Sequence, residues 1–172
     1  MLEITPSPLV VIGPSGAGKS TLVLGLAGRR ADIQFVPTWT TRPRRDGESD
    51  GHVFVDEQTF DTGTFLGTVE VFGARYGLPE FTPQARPLLL LRVFVLNMAF
   101  QVFPNARVIQ VEAPIDVLSQ RLRQRGSVER IDGQALSAEI EAGRRVAHAV
   151  VVSDGALDET MRRFEQAVNS VT

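Results

Sequence analysis

Short apolar runs recur along this 172-residue chain, separated by stretches whose apolar positions fall three or four apart. Leu9–Ile12, Ile33–Val36, Pro87–Val95, Arg107–Ala113 and Ala149–Val152 read as strands. Most of them lack polar alternation, which predicts strands covered on both faces. Ser20–Ala27, Pro114–Arg125, Ala135–Ala147 and Ala156–Val168 carry helical spacing. Gly28 and Gly126 are expected as helix stops, and Pro114 as a first-turn residue. Strands alternating with helices predict a parallel, doubly wound sheet with right-handed crossovers, and ligands at the carboxyl ends of its strands.

Residues 37–86 break that rhythm. Alternation and glycine punctuation over Gly51–Val55 and Phe65–Pro79 predict a small, mostly antiparallel insert. Its place after the second core strand would let a second substrate face the loop that follows the first.

Composition narrows the picture. An apolar fraction of 43% supports one real core, and a net charge of −2 argues against general nucleic-acid binding. There is no cysteine, so no disulfide framework and no cysteine-ligated metal. The longest apolar stretch, Pro87–Phe100, is broken by Arg92 and is too short to span a bilayer. The first residues lack the basic segment of a signal peptide. The expectation is a soluble cytoplasmic protein, monomer or homodimer, with no nucleic-acid or membrane partner.

The chemistry is concentrated in Gly13-Pro-Ser-Gly-Ala-Gly-Lys-Ser20, which fits the phosphate-binding pattern G-x-x-x-x-G-K-[ST]. It lies between a predicted strand and a predicted helix, as the pattern requires. Gly13, Ser15, Gly16, Ala17, Gly18, Lys19, Ser20 and Thr21 are the expected nucleotide-binding residues. Glycines let backbone N–H groups turn toward phosphate oxygens, and the helix dipole adds positive potential. Lys19 is the sole lysine among 18 basic residues. A compact ammonium on a flexible stem reaches β- and γ-phosphates better than a planar guanidinium does. A GTPase would need a second lysine to read guanine, and no transporter-type Leu-Ser-Gly-Gly-Gln segment is present.

Together with that loop, the segments TTRPRRDGESDGHVFV, FLGTVEVFGARYG, RLRQRG and VSDGALDE make the chain similar to the guanylate kinase family of P-loop nucleotide kinases. The resemblance covers nearly the whole chain. It implies a three-layer α/β P-loop kinase fold with a parallel sheet, a small acceptor-binding insert and a lid. In residue numbers, the core would be 1–36, 87–125 and 148–172, the insert 37–86 and the lid 126–147. It implies transfer of the ATP γ-phosphoryl group, with Mg²⁺, to a small-molecule phosphate acceptor. Arg42 and Arg45 match arginines that grip the acceptor phosphate, where guanidinium forks pair with oxygens in a bidentate way. Thr38 and Tyr76 match acceptor contacts, and Arg121 and Arg125 match lid-side arginines at the ATP phosphates. Ser20 would support the metal. Arg123 reads as an exposed helix-face position, and His52 and His148 carry no assigned role.

The chain departs from the family where the acceptor base is read. Gly67 stands at an acidic position, with Glu70 as the expected substitute. Leu78 replaces a serine or threonine, Arg92 replaces an acid at the end of the third core strand, and a tyrosine before Phe54 is missing. One lid arginine aligns with Leu136, leaving Arg130, Arg144 or Arg145 to serve. Segments around Tyr76 and Asp154 also resemble ribose 1,5-bisphosphate phosphokinase, whose acceptor has no base. A non-catalytic nucleotide-binding module of this family is the third reading.

Overall fold

The computed structural model describes residues 6–48 and 51–171. The first five residues of the expected core, together with Ser49 and Asp50 of the arginine-rich segment, lie outside the described residues. The elements, in order, are β1 (Leu9–Ile12), α1 (Lys19–Arg29), β2 (Ile33–Phe35), β3 (Thr38–Thr40), β4 (His52–Phe54), α2 (Glu57–Asp61), β5 (Phe65–Val71), β6 (Ala74–Pro79) and β7 (Arg86–Leu90). There follow α3 (Leu96–Val102), β8 (Arg107–Glu112), α4 (Ile115–Gln124), α5 (Gly133–Val146), β9 (Ala149–Val152) and α6 (Leu157–Ser170).

Five strands form a parallel sheet in the order β2-β7-β1-β8-β9. Its centre, β1, is buried at every position. Leu9 and Val11 pack with α1, α4 and α6 through Leu22, Leu118 and Phe164. Val10 and Ile12 face the opposite layer, with Met98, Val102 and Phe103. A strand covered on both faces needs apolar residues at every position, which is why no alternation marks it in the sequence. Each fully buried aliphatic or aromatic side chain contributes about 1.5–3 kcal/mol.

The insert is a four-stranded sheet, β4-β3-β6-β5. β3 pairs antiparallel with β6, and β6 with β5, while β4 runs parallel to β3. The β5–β6 hairpin turns at Phe72 and Gly73, both with positive φ.

Three expectations are corrected. The run Pro87–Val95 is not one strand: β7 ends at Leu90, a one-turn 3₁₀ helix covers Val93–Val95, and α3 follows. α3 buries Leu96, Met98, Ala99 and Val102 and exposes Asn97 and Gln101, but its seven residues are too few for a helical stripe to stand out from the apolar run before it. Gly28 does not stop α1, which ends one residue later. Arg30 caps it by donating its backbone N–H to the Leu26 carbonyl, while its fork holds Asp32 at 2.6 Å. Pro114 is the N-cap of α4 rather than part of its first turn. Gly126 does terminate α4, with φ +71. Among the described residues no helix is long and apolar enough to cross a membrane.

Candidate phosphate-transfer site

The loop between β1 and α1 crosses the carboxyl end of the parallel sheet. Gly13 lies so close to β8 that a Cβ there would sit 2.0 Å from the Val111 carbonyl oxygen, so only glycine fits. Gly16 and Gly18 adopt φ of +85 and +86. Gly18 is the N-cap of α1, makes no side-chain cap, and is followed by a first turn without an acid. The free N–H groups of that turn and the helix dipole therefore call for an outside anion.

Lys19 Nζ donates to the Pro14 carbonyl at 2.9 Å. Burial lowers its pKa to about 7; Arg92 adds to that and Glu139 works against it. A lysine this close to losing its charge is ready to be recharged by a bound anion.

A cavity of about 560 Å³ opens beside this loop and extends to the four-stranded sheet. Ser15, Gly16, Gly18, Lys19, Ser20 and Thr21 line its loop side, and Arg42, Arg45 and Tyr76 its far side. Arg125 closes it from the end of α4. Arg42 holds Glu48 in a bidentate pair at 2.5 and 2.9 Å. Burial disfavours the Arg42 charge, but Glu48 and Tyr76 outweigh it and raise its pKa. For Glu48, burial pulls upward, yet bonds from the Arg42 side chain and the Arg45 backbone bring its pKa to about 2. Among the described residues Arg45 carries no such partner, and burial followed by the Arg42 charge lowers its pKa. An incoming anion would offset that lowering.

Five expected residues stand off the cavity wall. Gly13 and Ala17 support the loop from behind, Ala17 being fully buried in the core. Thr38 is 1% exposed, and its Oγ1 is bonded to His52 Nδ1 at 2.8 Å, so the histidine lines the cavity in its place. Arg121 donates to the carbonyls of Gly16 and Ser153, at 3.1 and 2.6 Å, and braces the loop against the end of β9. Glu70 is exposed, because its neighbours Val69 and Val71 take the inward positions of β5 and strand alternation turns Glu70 to solvent. It is therefore no substitute for the acid missing at Gly67.

Gly67 itself does not open onto the cavity. A Cβ there would lie 3.0 Å from Val102 Cγ2 and 3.3 Å from Met98 Cγ, both on α3. Its cross-strand partner Leu78 is fully buried. The space beside two of the diverged base-reading positions is thus filled by apolar packing.

Further residues outside the expected binding set also meet here. His52 lines the wall, and burial, then Arg42, lowers its pKa to about 4, so it stays neutral. Arg92 pairs with Glu139 of α5 and donates to Ser15 Oγ at 3.2 Å. Arg130 donates to the same hydroxyl. Phe94 lines the wall, with Phe72 edge-on to it at 5.2 Å. The sequence signal for Arg92 was its charge at the end of an apolar run, and for Arg130 its nearness to the lost lid arginine.

The site fits a nucleotide triphosphate: a glycine cradle, a nearly discharged lysine and the open end of α1 all await an anion. Among the described residues no group of three or more His, Cys, Asp or Glu is placed to hold a metal. Mg²⁺ would therefore rest on the Ser20 hydroxyl and on phosphate oxygens.

A parallel sheet whose first strand feeds a glycine-and-lysine loop, with a second cationic wall opposite, defines a P-loop phosphate-binding protein of the α/β class. No family model matches the chain. It is 39% identical over 135 residues to the guanylate kinase of Nitrosococcus oceani, covering 70% of this chain and 66% of that protein. It is 32% identical to the human guanylate kinase, over 95% of this chain and 93% of the human one. The ribose 1,5-bisphosphate phosphokinase of Rhizobium etli is 39% identical over 133 residues, covering 69% and 66%. A crystal structure of the Anaplasma phagocytophilum guanylate kinase superposes with a TM-score of 0.66 at 22% identity, over 98% of this chain and 87% of that one, and shares its fold. The chain belongs to the guanylate kinase family.

Proposed function

We propose that the chain is an ATP-dependent phosphotransferase of the guanylate kinase type, moving the ATP γ-phosphoryl group to GMP or a related phosphate acceptor. The observation that carries this reading is one cavity with Lys19 and the open end of α1 on one wall and Arg42, Arg45 and Tyr76 on the other. Two phosphates drawn to those walls would meet across it. Phosphoryl transfer asks a protein for positioning and charge neutralisation, and little covalent help. In this reading Lys19 and Arg125 serve the donor, Arg42, Arg45 and Tyr76 hold the acceptor, and Ser20 supports Mg²⁺. Arg121 acts indirectly, by bracing the loop. Residues 37–86 form the acceptor-binding part and 126–147 the lid, in a cytoplasmic enzyme.

A second reading, a ribose bisphosphate kinase, is favoured by the apolar packing at Gly67 and Leu78, where a base reader would have stood. Coupled ADP release with Mg-ATP against GMP, AMP, UMP, CMP and ribose 1,5-bisphosphate tests both. Turnover of GMP supports the first, and turnover of the sugar bisphosphate alone supports the second. ATP binding with silence on every acceptor would contradict both.

A further inference from the structure

The lid arginine of the family aligns with Leu136, and Leu136 is 4% exposed, packed in the core on α5 beside Ile140. A charge there has no route to the cavity. Of the three arginines nearby, Arg144 holds Glu112 at 3.0 Å on the far side of β8, and Arg145 is exposed. Arg130 is the one of the three that lines the cavity. It ends the 3₁₀ turn Val128–Arg130 and donates to Ser15 Oγ.

Ser15 lines the cavity from the phosphate-binding loop. The loop lysine serves the β- and γ-phosphates, and Lys19 Nζ rests on the carbonyl of Pro14, one residue away. On its other side Arg130 faces the acceptor arginines. Burial, then the charges of Arg45, Arg92 and Arg42, lower its pKa to about 10. The segment carrying it runs into an anchored helix, α5. Arg92, which also touches Ser15, pairs with Glu139 of α5, and Asp132 caps that helix by accepting from the Gln134 and Ala135 N–H groups at 3.0 and 3.1 Å.

We propose that Arg130 is the catalytic arginine that bridges the donor and acceptor phosphates and neutralises charge on the γ-phosphoryl group in flight, in place of the lid arginine lost at Leu136. The bond between the γ-phosphorus and its bridging oxygen to ADP breaks as a bond to the acceptor phosphate oxygen forms. The bridging oxygen keeps its electron pair, and Arg130 donates N–H to the equatorial oxygens without giving up a proton. This assignment rests on the phosphotransfer reading above.

The test is calorimetric titration of Mg-ATP and Mg-ADP, together with turnover, in wild type, Arg130→Ala, Arg130→Lys and Arg145→Ala. Arg130→Ala is expected to bind ATP about tenfold more weakly and ADP within about twofold, since it removes a charged hydrogen bond to the third phosphate. Its kcat is expected to fall by about 10²–10³-fold. Arg130→Lys keeps the charge without the fork; it is expected to fold like wild type, and its kcat to fall by about tenfold. Arg145→Ala is expected to match wild type. A wild type that turns over while Arg130→Ala and Arg130→Lys keep kcat and the ATP/ADP affinity ratio within about twofold would overturn the proposal alone. A wild type that turns over no phosphorylated acceptor would overturn the phosphotransfer reading and the proposal with it.

Discussion

Around the loop of residues 13–20, the groups aimed at phosphate are mainly backbone N–H, fixed by three glycines with positive φ and by the contact of Gly13 with the Val111 carbonyl. Across the cavity, beside the four-stranded sheet, they are side chains: Arg42 shaped by Glu48, Arg45, and Tyr76. A backbone cradle depends on the path of the chain, so its glycines and lysine stay put or the site is lost. A side-chain wall is rewritten one residue at a time. Arg42 and Arg45 stand there, while Gly67, Leu78 and Arg92 stand where the family resemblance implies groups that read a base. The two halves of one cavity thus offer an anion different kinds of group.

The sharpest way to break the donor half is Lys19→Met. It is expected to lower kcat by about 10²–10³-fold while leaving the fold intact, checked by ADP release and circular dichroism. On the acceptor half, Arg42→Ala is expected to raise the acceptor KM by about tenfold or more, with KM for ATP little changed. Equal effects on both substrates would erase the distinction between the walls. Restoring the family acid by Gly67→Glu is expected to cost about 1–3 kcal/mol in urea denaturation, because the new side chain collides with Met98 and Val102. It is not expected to improve GMP turnover; a gain would mean that α3 yields and the base site is only dormant.

The smallest effect concerns protons. Lys19 has a pKa of about 7 when no anion is bound, and phosphate charge beside it raises that value. Between the two values, ATP binding takes up a proton, so affinity falls as pH rises above about 7. Calorimetry at pH 8 in buffers of different ionisation enthalpy is expected to register this uptake in wild type and not in Lys19→Met.

Much of the donor half was legible in the sequence, because a backbone site needs glycines at fixed spacing and an apolar strand before them. The parallel sheet was legible for the same reason, down to the buried run Leu9–Ile12. α3 was not, since it is seven residues long and its two exposed polar positions, Asn97 and Gln101, are too few to mark a period after the apolar run before it. On the acceptor side, Arg42, Arg45 and Tyr76 followed from motif alone. The sealing of Thr38 behind His52, the outward turn of Glu70 and the pairing of Arg92 with Glu139 depend on strand register and on contacts between distant elements. No local pattern records those. Arg121 illustrates the limit: its spacing suited a phosphate ligand, but carbonyls of Gly16 and Ser153 lie within its reach.

The proposal that the acceptor wall grips phosphate, with apolar packing at Gly67 and Leu78 leaving little to read a base, is tested most directly by kcat/KM for GMP against ribose 5-phosphate, the same acceptor without its base. An apolar wall contributes modestly to discrimination, so the expected preference for GMP stays below about 200-fold. A preference near 10⁴-fold or more, the mark of a site built to hydrogen-bond the missing group, would contradict the account.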